Sequence, residues 1–229
     1  MNALLLLTGM LRSPRLTLAQ GITRPRWFGL AVLIVLISAA CSVCFLMTGV
    51  GRLAALDQQV RQLESVGTVV TDQLYSELRG WERYRPLVSA VVIVAGWPLM
   101  WAAGAGIILM IGKRRSRTVT YPQVLTVLVY GSSVFALRSV VALPIDYLRE
   151  SLGGATSLGL IVPGLGDATF AARLFGAIDI FVLWWVGLVA VGLGMLYQTR
   201  AASIARWLLG AYATGAAALA LTQALRGGV

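Results

Sequence analysis

The stretch 174–197, LFGAIDIFVLWWVGLVAVGLGMLY, constrains the fold more than any other part of the chain. A helix needs about 20 apolar residues to cross the roughly 30 Å hydrocarbon layer of a bilayer, and this run has them with one acid, Asp179, inside. A carboxylate there is costly unless something answers it, and Arg138, alone in another apolar run, is the answering charge expected from the chain itself. Composition agrees with lipid as solvent. Only 12% of residues are charged, about half the share usual in a soluble domain, and mean hydropathy is +0.81.

Reading in order gives an all-α fold: a polytopic transmembrane helical bundle of five spans at about 27–48, 87–111, 121–143, 174–197 and 204–225. Residues 1–26 form a separate region. Its apolar residues precede Arg12, Arg15, Arg24 and Arg26, the reverse of a secretory signal. An amphipathic helix on the cytoplasmic face is expected, broken near Ser13-Pro14. Residues 27–229 make the five-span domain. Between spans one and two, the outer segment 49–85 carries Leu53, Leu56, Val60, Leu63, Val70, Leu74, Leu78 and Trp81 at three- and four-residue steps. Both ends must return to one face, so this amphipathic segment is expected as a hairpin broken around 65–68. The second span has an internal Pro98, and the third is expected to end at Pro144, with a Gly-rich loop over 145–173.

Charge placement sets the orientation. The net charge of +10 is not one basic patch: the bases sit at the ends of apolar runs, so no nucleic-acid partner is expected. The N-terminal segment and the second and fourth loops carry 4, 4 and 2 bases and no acid, whereas the opposite loops hold seven bases against eight acids. The N-terminus is therefore expected in the cytoplasm and the C-terminus outside. Trp27, Tyr121, Tyr197 and Trp207 would then mark the inner interface, and Trp81, Tyr84 and Tyr147 the outer one.

Several chemistries drop out. With no histidine in the chain, His-based triads, metal sites and proton relays are excluded together. Cys41 and Cys44 form C-x-x-C deep within an apolar run. Redox pairs of that spacing open a helix, so packing is the preferred reading. Gly164-x-Gly166 completes neither phosphate-binding pattern. No catalytic residue, metal ligand or cofactor site is expected.

What remains is an intramembrane constellation. Arg138 and Asp179 each lie five residues, roughly 8 Å, below the outer boundary of consecutive antiparallel spans, and are expected to form an ion pair that clips the helices or gates a path. Ala190 and Gly194 in span four, and Ala211 and Gly215 in span five, have the spacing that lets helices approach closely.

From Thr120 onward the chain resembles the YIP (Ypt-interacting protein) membrane family in its bacterial form. The resemblance rests on Thr120-Tyr121-x-Gln123-Val124-Leu125 at the head of span three and on Asp179-x-Phe181-x-x-Trp184 followed by Gly192 in span four. Arg12-Ser13-Pro14-Arg15 and Pro25-Arg26-Trp27 are similar too. It implies a five-span helical protein of a bacterial inner membrane with a cytoplasmic N-terminus. Eukaryotic members associate with small GTPases; that partner is not expected here, given the short N-terminal segment and enlarged outer hairpin. The preferred expectation is a non-enzymatic multipass protein that binds or organises other membrane proteins or lipids, by partner contact or self-association. The alternative is a transporter or permease component using Arg138 and Asp179. An intramembrane enzyme would need a nucleophile with a base, or an acid pair, and neither is present.

Overall fold

The computed structural model describes residues 2–65, 67–112, 118–152, 155–157 and 178–226. The expectations placed on the basic loop 113–117, on Gly164-x-Gly166 and on 174–177 lie outside them. Every regular element among the described residues is helical. The elements are α1 (Ala3–Arg12), α2 (Pro14–Thr23), α3 (Phe28–Met47), α4 (Gly49–Ser65), α5 (Asp72–Gly80), a short 3-10 turn (Glu82–Tyr84), α6 (Arg85–Gly112), α7 (Tyr121–Gly131), α8 (Ser133–Leu148), α9 (Ile180–Leu196) and α10 (Ala201–Arg226). Among the described residues, three helical stretches are long and apolar enough to cross a membrane: Phe28–Met47, Asp72–Gly112 and Tyr121–Leu148. Ile180–Leu196 is apolar but only 17 residues long.

The described residues fall into two compact units. The first draws on 1–39, 91–138 and 181–211, and the second on 40–90, 139–180 and 212–229.

In the first unit, α7 is the hub. Every residue from Val124 to Gly131 is buried. Met10, Leu18, Leu30, Ile34, Val127 and Val189 are fully buried in the same cluster. The N-terminal segment is broken at Ser13 as expected, but it is not simply laid on a surface. α1 and α2 pack on each other and on α7, and Leu6, Met10 and Leu18 enter the core. Leu4, Leu5 and Leu16, by contrast, are 63%, 58% and 67% exposed, which leaves a second apolar face outward.

Two glycines allow these contacts. A Cβ on Gly21 would lie 2.6 Å from the Tyr130 ring, and one on Gly192 would lie 2.5 Å from Val127 Cγ1. α9 therefore meets α7 through Gly192. Of the small residues expected to line helix contacts, Ala190 and Gly194 are buried, while Ala211 and Gly215 are exposed.

In the second unit, α4 ends at a left-handed Gly67 (φ 82°), with Thr68 N–H donating to Leu63 O at 3.0 Å. That 6→1 bond is the Schellman way of ending a helix. α5 then starts at Thr71, whose hydroxyl accepts from Leu74 N–H. Arg85 ties the returning chain to α4, donating to Gln59 Oε1 at 2.8 Å and to Leu78 O at 3.3 Å. Ser42 and Ser89 hydroxyls, 2.7 Å apart, join α3 to α6.

Two boundaries differ from expectation. Pro144 does not end the third apolar stretch. The helix runs through it to Leu148 and closes with Ser151 N–H on Asp146 O at 3.2 Å around a left-handed Glu150. A proline removes one helical hydrogen bond, and the bonds that follow keep the helix going. The irregularity comes instead at Ser132. There the hydroxyl donates back to Leu128 O at 2.8 Å, an i−4 bond that bends helices. The fourth apolar helix begins at Ile180, not 174. Asp179 therefore stands just before the first helical residue instead of a turn and a half inside.

Candidate functional site: a serine between two tryptophans, and a basic turn beside an apolar groove

Ser132 is a polar node in the core of the first unit. Its Oγ accepts from Trp101 Nε1 at 2.9 Å and from Trp185 Nε1 at 3.2 Å while donating to Leu128 O. One buried hydroxyl thus satisfies two indole N–H groups from α6 and α9 and one backbone carbonyl. In an apolar surround an unmade bond would cost the full desolvation of its donor. The rings close around it: Trp97 lies 5.4 Å from Trp101 and 5.3 Å from Phe135, and Phe135 lies 6.2 Å from Trp185. These separations suit tilted aromatic pairs. The node joins three helices through one hydroxyl that accepts two hydrogen bonds and donates one. Sequence reasoning missed it. The available signals were the small triplet Gly131-Ser132-Ser133 inside an apolar run and the i, i+4 pair Trp97 and Trp101.

The motif residues each receive a physical role. At the head of α7, Gln123 Oε1 accepts from the Thr120 N–H at 2.9 Å and its hydroxyl at 3.0 Å, while Nε2 reaches Ile22 O at 3.5 Å. One side chain therefore caps α7 and anchors α2. Tyr121 donates its hydroxyl to Ala102 O at 3.1 Å, fixing α7 to α6. Val124 and Leu125 are core. Further along, Phe181 and Trp184 rings lie 6.2 Å apart, with Trp184 41% exposed, and Gly192 presses on Val127.

Asp179 is held at the start of α9. Its Oδ2 accepts from the Thr156 hydroxyl at 2.6 Å, and its backbone N–H donates to the Tyr212 hydroxyl at 3.1 Å. Thr156 O in turn accepts from Ile180 N–H at 3.1 Å, and Ser157 and Asp179 form a single bridge. A negative charge at a helix N-terminus is favoured by the helix dipole. Arg138 lies in α8, half-buried, within the first unit, and Asp179 lies in the second. The sequence pointed to a second acid only as a loop residue: Asp146 is in the last turn of α8 and only 9% exposed. Cys41 and Cys44 are both unbridged thiols on α3. Among the described residues no three His, Cys, Asp or Glu side chains are grouped as metal ligands would be.

Two depressions flank the turn that leads into α3. The first is a cavity of about 450 Å³ of mixed character, lined by Leu6, Gln20, Gly21, Thr23, Arg24, Arg26 and Tyr130, the last donating its hydroxyl to Arg26 O at 3.5 Å. The second is an apolar groove of about 630 Å³ between α3, α6 and α7, lined by Trp27, Phe28, Pro98, Trp101, Tyr121 and Leu125 among others.

The family model of the Yip1 domain matches residues 8–222, nearly the whole chain and every helix from the end of α1 to the last turns of α10. The chain belongs to the Yip1 domain family. No curated protein and no solved structure matches it. Within the Yip1 domain, the serine–tryptophan node and the α2–α7 contact are internal ties. The basic turn and the groove line two open depressions among the described residues.

Proposed function

We propose that this Yip1 domain protein is a non-enzymatic multipass membrane protein that binds or organises other membrane proteins or lipids. In this reading it crosses a bacterial inner membrane five times, with the N-terminus in the cytoplasm and the C-terminus outside. The observation that carries the reading is the Yip1 domain match over 8–222, in a chain whose described residues include three helices able to cross a membrane. The bias of bases toward the N-terminal segment and the second and fourth loops supports the orientation.

The outer segment supports partner or interface contact. Its apolar and aromatic side chains stay open: Leu53 is 56% exposed, Val69 81% and Trp81 65%. Trp81 and Tyr84 rings lie 5.9 Å apart, and the Arg83 guanidinium lies 4.7 Å over the Tyr84 ring. Such amphipathic aromatic clusters gather where a membrane meets water. Small GTPase binding is not part of this reading.

The test is capture of the tagged full chain from native membranes into lipid nanodiscs, followed by native mass spectrometry. A stoichiometric second protein or defined lipids retained with it are the expected result. Recovery as a bare monomer, together with solute flux in proteoliposomes, would overturn the organiser reading.

A further inference from the structure

We propose that the turn between α2 and α3, with the groove beside it, is a binding site for one anionic phospholipid. The phosphodiester sits in the cavity at Arg24 and Arg26, and an acyl chain lies in the apolar groove. This rests on the reading of the protein as membrane-embedded.

Three observations carry it. First, consecutive residues of one turn line the two depressions: Arg26 the cavity and Trp27 the groove. α7 contributes to both, with Tyr130 in the cavity and Tyr121 and Leu125 in the groove. Second, their chemistries are complementary to the two ends of one amphiphile. The cavity offers two guanidinium groups and the side chains of Gln20 and Thr23, all exposed, and no acid lines it. Arginine's planar fork suits phosphate oxygens, and arginine stays charged throughout the physiological range. The groove lining is aliphatic and aromatic, and Tyr121 spends its hydroxyl on Ala102 O.

Third, the proportions fit. The groove follows α3 from Phe28 to Leu36, nine residues and roughly 12 Å of helix, which is a length of chain and not a side chain. Trp27 and Tyr121 at one end are the residues that settle at headgroup level. A zwitterionic headgroup would bring its own cation to the arginines, so the preference is for net negative charge.

The experiment uses the full chain in nanodiscs of equal phosphatidylglycerol and phosphatidylcholine, with retained lipid counted by native mass spectrometry. One phosphatidylglycerol per chain is expected, enriched about fivefold or more over phosphatidylcholine, with the enrichment shrinking as salt rises. The Arg24→Gln/Arg26→Gln variant should keep a lipid but bind both kinds equally. Arg12→Gln, an arginine outside the cavity, should leave the preference intact. Ala102→Trp, which fills the groove from an exposed position, should lose the retained lipid of either kind.

Glycerol 3-phosphate, a headgroup without chains, should not displace the lipid at millimolar concentration. If it does, the cavity is a soluble phosphate site and the lipid assignment is overturned. Equal retention of both lipids by the wild type, or a preference that survives the double variant, also overturns it. Recovery of the chain in the soluble fraction without detergent would instead overturn the membrane reading beneath it.

Discussion

Helix α7 and the outer helix α5 are both helical and both carry aromatic and aliphatic residues, yet their surroundings are opposite. From Val124 to Gly131 no residue of α7 is exposed, and along α5 no residue is buried. In α7 the polar side chains inside the core have partners: Thr126 donates to Pro122 O one turn back at 2.7 Å, and Tyr130 reaches Arg26 O in the turn before α3. In α5 the polar groups face outward, and the helix is held mainly by its cap at Thr71 and by Arg85, which grips Leu78 O. The difference teaches where stability and recognition are separated in this chain. Close packing around α7 leaves little room for change, whereas α5 keeps Leu74 and Leu78 only half-buried and Tyr75 exposed toward a membrane or a partner.

The comparison can be broken most forcefully at Gly192. Gly192→Leu would drive a side chain into Val127, and overpacking of this kind costs about 3 kcal/mol. A large fall in the thermal midpoint in nanodiscs is expected; an unchanged midpoint would mean α9 does not press on α7. Next, Ser132→Ala orphans two indole donors for a loss of about 2 kcal/mol. Near-ultraviolet circular dichroism should lose intensity with it, since the ring cluster loses its common anchor.

Asp179 separates two readings of one residue. If it acts as a helix cap held by Thr156, Asp179→Asn should be nearly silent and Asp179→Ala should cost about 1 kcal/mol, because asparagine caps as well as aspartate. If its charge answers Arg138 inside the membrane, the asparagine variant should be as damaging as the alanine one in a thermal melt.

On the outer segment, Thr71→Ala should cost about 1 kcal/mol locally. It should speed hydrogen exchange at the start of α5 while leaving the global midpoint alone; a global shift would erase the contrast with α7. The smallest effect is a gain. Gln198 closes α9 in the left-handed region (φ 51°), with Thr199 N–H on Gly194 O at 3.0 Å. Gln198→Gly should raise stability by about 0.5 kcal/mol.

Some of the site was legible in advance and some was not. Thr120 and Gln123 stand three apart at the head of an apolar run, and that spacing alone encodes a cap. The break of the outer segment near Gly67 follows from the only residue that takes a positive φ without strain. Pro14 and Pro98 marked a helix start and a helix interior. Pro144 misled because the proline rule weighs one lost bond and not the helix that resumes after it. Asp179 was placed inside a helix because it stands in an apolar run, and hydropathy does not show at which residue of such a run a helix begins. Asp146 was hidden by the same false boundary at Pro144.

By itself the sequence determined the solvent this chain is built for, its helical class and the chemistry it lacks. Long apolar runs, sparse charge and the absence of histidine are local properties, readable without knowing what touches what. Only the tertiary structure decided that α7, and not the most apolar stretch, is the hub, and that Ser132 is its polar centre. Ser132 meets Trp101 and Trp185 across 31 and 53 residues of chain. Contacts at that distance depend on how helices cross, and no pattern of spacing within one helix encodes them.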